Sequence, residues 1–270
     1  MSIIRVTGAE DPRLADYRGV SEPELARERG LFIAEGRRVV QRLVDAGRAR
    51  VRSLLLNDAA LHALTSTLQK LAADTPVYVC DTASLAAVAG FNIHRGCLAI
   101  AERPPDMPFE RILCHTRLLI ALEDVANADN VGGVFRNAAA FGADAVLLSP
   151  SCCDPLYRKS IRTSMGASLW LPFARATQWP GALGAARDRG FAIVALTPRE
   201  PAQTLDAFAA GGRPQRLLLL VGTEGAGLSA AAECLADYRV KIPIRPDVDS
   251  LNLAVATGIA LARLSREASL

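Results

Sequence analysis

Three short stretches in the second half of the chain hold the side chains best placed for chemistry. The first is Asn127-Ala128-Asp129-Asn130-Val131-Gly132-Gly133-Val134-Phe135-Arg136-Asn137. It follows an apolar run and enters a helical pattern, with Asp129 or Asn130 placed to cap the helix. Two glycines so near a helix start cost stability unless something approaches closely. Arg136 stands among Val134, Phe135, Ala138 and Ala139, either as an exposed charge or as a placed one.

The second stretch is Gly222-Thr223-Glu224-Gly225-Ala226-Gly227-Leu228-Ser229, directly after Leu217-Leu218-Leu219-Leu220-Val221. Its glycines fall as G-x-x-G-x-G. A dinucleotide loop has the order G-x-G-x-x-G, lies early in its fold and carries its acid about 20 residues on. Here the order is reversed and the carboxylate lies inside the loop. Such a turn can hold a neutral or cationic ligand against bare backbone, or simply join a strand to a helix; one glycine normally suffices for a turn. The third stretch runs from Ile242-Pro243 to Ser250-Leu251-Asn252-Leu253, then into a helix of small residues, Ala254, Ala256, Gly258, Ala260 and Ala262. Ser250 can cap that helix, and the small residues admit a close neighbour.

Other chemistries lack their residues. No phosphate-loop pattern G-x-x-x-x-G-K-[ST] is present. The six cysteines form no C-x-x-C pair, and His62, His94 and His115 do not stand at zinc spacing beside them. No metal site is expected, and the cysteines read as small apolar residues of a reduced protein.

The elements that must position these stretches follow from periodicity. Apolar runs alternate with helical patterns throughout, which predicts an α/β architecture. Strands are expected around 31–34, 52–56, 77–80 and 96–101, with helices over 36–46, 58–73 and 82–89. Arg103-Pro104-Pro105-Asp106-Met107-Pro108 then breaks the pattern and reads as a linker. Beyond it, strands are expected near 117–122, 145–149, 169–172, 191–196, 216–221 and 238–242. Helices are expected over 131–141, 155–163, 181–189, 229–236 and 252–266. Continuous apolar strands such as Leu217–Val221 belong to parallel sheets buried on both faces.

Half of the 270 residues are hydrophobic, which excludes global disorder, and the net charge is +3. Only Lys70, Lys159 and Lys241 are lysines among 31 basic residues. Arginine usage on this scale fits phosphate recognition or a codon bias equally well. Between Gly36 and Ser53, six arginines face the single acid Asp45, while Val39, Val40, Leu43 and Val44 recur at helical spacing. Arg37, Arg38 and Arg42 can therefore line a face toward a phosphate backbone, joined by Arg95, or remain a solvated helix face. No apolar run approaches membrane length and no signal-peptide layout opens the chain, so a cytoplasmic protein without membrane contact is expected.

Asn130-x-Gly132 with Arg136, Gly222-x-Glu224-Gly225-x-Gly227-Leu228-Ser229, and Ile242-Pro243 with Ser250-Leu251-Asn252-Leu253-Ala254-Val255-Ala256 together resemble the three ordered motifs of the SpoU (TrmH-like) RNA methyltransferases of the SPOUT class. Arg162-Thr163-Ser164-Met165-Gly166-Ala167 with Leu171-Pro172 is similar to the family's intermediate segment. Phe32-Ile33-Ala34-Glu35-Gly36 and Gly96-Cys97-Leu98-Ala99-Ile100 resemble its small ribosomal-protein-like RNA-binding domain. One departure is that many relatives carry Asp-Pro two residues ahead of the motif asparagine, where this chain reads Asn127-Ala128-Asp129-Asn130; the missing proline loosens the turn without removing a proposed catalytic group.

The resemblance implies an N-terminal α/β RNA-substrate-binding domain over residues 1–104, a linker over 105–116, and a parallel-sheet SPOUT domain over 117–270 whose C-terminal chain forms a trefoil knot. It implies methyl transfer from S-adenosylmethionine to a ribose 2′-hydroxyl of structured RNA, rRNA ahead of tRNA, by a homodimer paired through the SPOUT domain. Base methylation by a SPOUT relative and a non-catalytic role in RNA binding or ribosome assembly are the alternatives. Asn130, Arg136, Glu224, Ser250 and Asn252 match the catalytic positions. Leu220, Gly222, Ile242 and Leu251 match the cofactor positions. A guanidinium holds its proton tightly, so the role expected of Arg136 is to hold phosphate and stabilise developing alkoxide rather than to act as base.

Overall fold

Short apolar runs between polar caps build two sheets in the computed structural model, which describes residues 1–18, 21–89 and 96–265. The chain divides into one unit of Met1–Pro105 with Leu156–Trp170 and another of Asp106–Pro155 with Leu171–Leu270.

The first unit contains strands β1 (Ser2–Arg5), β2 (Leu31–Glu35), β3 (Val51–Leu56), β4 (Pro76–Val79) and β5 (Cys97–Glu102), in the spatial order β1-β4-β3-β5-β2. β1, β4 and β3 are parallel, and β5 runs antiparallel to β3 and β2. Its helices are α1 (Glu22–Glu28), α2 (Arg37–Ala46), α3 (Asp58–Ala63), α4 (Thr65–Leu68) and α5 (Thr82–Ala89). In α2, Val39, Val40 and Leu43 are buried while Arg37, Arg38 and Arg42 are exposed, the division its periodicity dictates. The single helix expected over 58–73 is broken at Leu64, where the Thr65 hydroxyl donates to the His62 carbonyl at 2.9 Å and competes with helical pairing. The sequence reading missed β1, α1 and the 3₁₀ turn Pro12–Tyr17.

The second unit opens with α6 (Phe109–His115), a helix inside the stretch read as linker. Then come β6 (Leu118–Glu123), α7 (Ala128–Ala140) and β7 (Ala145–Leu148). The chain next supplies the first unit's second segment, with α8 (Arg158–Thr163) packed on β2. It returns as β8 (Phe173–Arg175), α9 (Gly181–Asp188), β9 (Ala192–Leu196), β10 (Gln203–Thr204), α10 (Leu205–Ala210), β11 (Leu217–Gly222), α11 (Ala230–Glu233), β12 (Tyr238–Lys241) and α12 (Leu253–Leu264). The strand expected at 169–172 is instead a 3₁₀ turn, Ala167–Leu169, with β8 beginning at Phe173. Pro172 lacks an N–H, yet its carbonyl accepts from Val146 at 2.9 Å and leads into that strand.

The seven strands lie in the order β10-β12-β9-β11-β6-β7-β8, all parallel. Leu217 stands opposite Leu118 on one side and Ala192 on the other, so the leucine run is the central strand, buried along its whole length. Leu218 and Leu220 join a core with Leu183 and Ala186 of α9 and Ala232 of α11. α12 packs on α7. A Cβ on Gly133 would come within 2.6 Å of the Ala254 Cβ, so the small residues of α12 serve a close approach within the chain.

Candidate functional site

In parallel sheets, ligands bind beyond the carboxyl ends of the strands. Here the turns after β6, β11 and β12 carry the three polar stretches to that end of the second unit. After β6, the cap of α7 is Asn127 rather than Asp129 or Asn130. Its Oδ1 accepts from the backbone N–H groups of Asp129 at 2.8 Å and Asn130 at 3.4 Å. Asn130 therefore sits in the first helical turn, only 5% exposed, with its side chain free for another task.

That task is set by Asn252, the cap of α12. Its Oδ1 accepts from Ala254 N at 3.0 Å and Val255 N at 3.2 Å. Its Nδ2 donates to Asn130 Oδ1 and to Glu224 Oε1, each at 2.9 Å. One amide thus uses its oxygen to hold its helix and its nitrogen to join the other two turns. Asn137, one turn beyond Gly133, adds a tie from Nδ2 to the Ala254 carbonyl at 2.6 Å. Ser250 is exposed and is not the cap. Arg136 is also exposed and hydrogen-bonds to none of the other four among the described residues. It lies about 9 Å along α7 from Asn130, at roughly 1.5 Å per residue.

A cavity of about 340 Å³ opens beside this junction. Gly222, Ile242 and Leu251 line it, with Leu196 and Pro198 from the end of β9, and Glu224 and Ser250 at hand. Leu220 does not line it. Strand alternation turns Leu220 into the core against α9, and its neighbour Val221 lines the cavity instead. Gly222 must be glycine, because a Cβ there would lie 2.3 Å from the carbonyl carbon of Gly227. The turn folds back on its own strand at that point, forming a bridge between Thr223 and Gly227.

Two charged groups that the sequence reading did not single out fix this turn. Glu123, 2% exposed at the end of β6, accepts from Ser229 N at 2.9 Å, Ser229 Oγ at 2.7 Å and Trp179 Nε1 at 2.7 Å. Arg199, in the loop after β9, donates to the Leu228 carbonyl at 2.9 Å and the Ala226 carbonyl at 2.6 Å. It also lies 3.4 Å from Glu233 Oε1, which takes the Thr197 hydroxyl at 3.0 Å. A carboxylate ending an apolar strand was a usable signal for Glu123. Arg199 has none, since its hydrogen-bond acceptors are backbone carbonyls and the carboxylate it meets, Glu233, stands far along the chain.

The arginines read as phosphate-facing belong to the first unit. Arg37 and Arg38 are exposed in the first turn of α2. Arg42 donates through Nη1 to the Met165 carbonyl, and Arg95 lies outside the described residues. Arg50 and Arg52 are engaged by Asp74 and Glu102. Among the described residues no group of three or more His, Cys, Asp or Glu side chains gathers to hold a metal. No helix among them is long and apolar enough to cross a membrane.

Comparison with known proteins returns one family. The profile of the SpoU rRNA Methylase family matches residues 117–262. An uncharacterized tRNA/rRNA methyltransferase of Mycobacterium bovis is 39% identical over 265 residues, covering 97% of this chain and 91% of that protein. Among solved structures, the SpoU methyltransferase AviRb from Streptomyces viridochromogenes is 26% identical, with a TM-score of 0.77 over 95% of this chain and 97% of that one. It has also been solved in complex with the cofactor AdoMet. An AdoMet-bound rRNA methyltransferase from Sinorhizobium meliloti shares the fold, with a TM-score of 0.83, 24% identity and 97% of each chain covered.

Proposed function

Because the chain belongs to the SpoU rRNA methylase family, we propose that it transfers a methyl group from S-adenosylmethionine to a ribose 2′-hydroxyl of structured RNA, rRNA ahead of tRNA. The observation that carries the reading is the Asn252 amide, which joins Asn130 and Glu224 at the mouth of the cavity.

The cavity suits the cofactor. Its volume of about 340 Å³ falls in the range of small-molecule sites. Ile242, Leu251 and Leu196 offer apolar walls to a flat, neutral base, and the bare backbone of the glycine turn admits close contact. Glu224 and Asp249 at its edge favour a cationic sulfonium over an anionic phosphate. Gly222, Ile242 and Leu251 would hold it, while Leu220 supports from the core. When bound, the cofactor supplies an electrophilic methyl on sulfur.

The residues of this chain do the rest. A ribose hydroxyl is a poor nucleophile at neutral pH, so charge developing on its oxygen needs stabilisation. Arg136, exposed and unengaged among the described residues, holds the target phosphate and stabilises developing alkoxide. Asn130 and Ser250 orient the ribose. Glu224, kept in place by Asn252, positions its neighbours or takes the proton through water. On this reading the first unit selects the RNA through Arg37, Arg38, Arg42 and Arg95. The C-terminal chain forms the trefoil knot, and the protein works in the cytoplasm as a homodimer paired through the second unit. Val255 and Ile259, exposed one turn apart on α12, give that pairing an apolar face.

The test is methyl transfer from radiolabelled S-adenosylmethionine into total RNA from a strain lacking the gene, followed by alkaline hydrolysis of the product. Label in one RNA size class and a hydrolysis-resistant linkage at the labelled nucleotide are expected. Label that leaves the linkage labile means base methylation. RNA binding with neither label nor cofactor binding means a non-catalytic RNA-binding protein.

A further inference from the structure

Two basic segments far apart in sequence meet in the first unit. On α2, Arg37, Arg38 and Arg42 are exposed, with Arg48 just beyond its end. Asp45, the acid of that helix, is taken by Lys70 at 2.6 Å. The segment Leu156–Trp170 contains no carboxylate and exposes Lys159 and Arg162. Arg42 donates to the Met165 carbonyl, and Arg48 Nη1 donates to the Trp170 carbonyl at 2.5 Å. Arg42 of α2 and Arg48 just beyond it thereby fix the segment that ends in Trp170.

Trp170 is 42% exposed, and its indole N–H has no partner among the described residues. The other tryptophan, Trp179, packs against the core of the second unit and gives its N–H to Glu123 at 2.7 Å. Leu169 and Leu171, on either side of Trp170, are buried. Among the described residues of this unit the other exposed large hydrophobics are Met1 and Ile3, at β1 on the sheet edge opposite β2, where α8 packs, so the ring is not part of a continuous apolar patch of the unit. A protein partner selects for apolar continuity at the centre of its interface. An unpaired nucleotide selects for the arrangement seen here, because every base presents a π-face to an aromatic ring while guanidinium groups take the flanking phosphates.

We propose that Trp170 is a stacking platform for an unpaired base of the RNA, with Arg48 and the exposed arginines of α2 holding the adjoining backbone. This rests on the reading that RNA is the substrate, and assigns part of its recognition to a single-stranded stretch.

The test is a fluorescence and calorimetric titration of the full chain with a short oligoadenylate and with an RNA duplex. Wild-type fluorescence is expected to be quenched by oligoadenylate. Trp170→Phe keeps most of the affinity but loses the quench, since Trp179 alone remains. Trp170→Ala weakens oligoadenylate binding about tenfold, the effect of losing one stacked base. Cofactor affinity and melting temperature stay unchanged in both variants. Oligoadenylate binding by Trp170→Ala as tight as wild type overturns the proposal. So does a changed sedimentation coefficient, which would mean that a second copy of the chain covers the ring. Wild-type protein that binds neither RNA overturns the RNA reading itself, and this inference with it.

Discussion

The polar groups around the second unit's cavity and the ion pairs on the first unit's surface are used differently. In the second unit, Asn252, Glu123 and Arg199 each make several bonds, shared between backbone groups and side chains around the cavity. In the first unit, charged groups meet in exposed pairs such as Arg5–Asp58, Arg50–Asp74 and Lys70–Asp45, with more than half of each side chain open to solvent. Chemistry needs reacting groups fixed before the substrate arrives, since reorganisation during the reaction costs rate. A surface that meets a flexible polyanion can instead exchange its partners on contact. The difference lies in what these groups are bonded to and how far they are exposed.

The largest effect is expected at Arg136. Arg136→Ala should lower the methyl-transfer rate by about 10²- to 10³-fold, the loss seen when one charge-stabilising donor is removed. Cofactor affinity by calorimetry should hold, because Arg136 does not line the cavity. Retained activity would remove Arg136 from the mechanism. Asn252 comes next, and two substitutions separate its roles. Asn252→Ser keeps a capping oxygen but no longer bridges Asn130 and Glu224, so activity should fall about tenfold or more with little loss of stability. Asn252→Ala should lose the activity and about 1 kcal/mol of stability as well. A Ser variant as active as wild type would mean that the bridge does not serve the reaction.

Glu123→Gln probes a smaller effect. A single amide oxygen cannot satisfy Ser229 N, Ser229 Oγ and Trp179 Nε1 together, and the new NH₂ faces donors. A loss of about 1–3 kcal/mol in urea unfolding is expected, the cost of leaving a buried donor unpaired. Weaker cofactor binding should accompany it, since Ser229 follows the glycine turn. Loss of stability with cofactor binding unchanged would make Glu123 a core residue only.

Much of this organisation was legible along the chain. The leucine run of β11 announced a buried parallel strand, because no half-exposed strand tolerates Leu217–Val221 on both faces. The three polar stretches were visible because glycine, asparagine and arginine are costly where they stand. The bond from Asn252 to Asn130 was not, because it joins residues 122 positions apart and depends on how the strands are ordered. Arg199 stayed hidden for a different reason. Its hydrogen-bond acceptors are carbonyls, which every residue carries and no sequence marks, and only the fold brings Glu233 beside it. The segment Leu156–Trp170 also carries no local sign that it packs with the first unit, since α8 lies on β2 through contacts that only the tertiary fold creates. Short exposed β1, with an apolar side chain as open as Ile3, lacked the alternation that reveals a strand.

The smallest effect sharpens the comparison from the other side. Arg50 lies 2.9 Å from Asp74 and 4.0 Å from Glu102, and its side chain is 61% exposed. Exposed pairs gain little in high dielectric and spend side-chain entropy to form. Arg50→Ala should therefore move the melting temperature by no more than about 2 °C. Asp74 and Glu102 are exposed enough to regain water, so neither is left as a stranded charge. Scanning calorimetry at low and high salt decides. A larger drop that salt abolishes would mean that Arg50, Arg52, Asp74 and Glu102 act as a network, and that the first unit fixes its charges as firmly as the second.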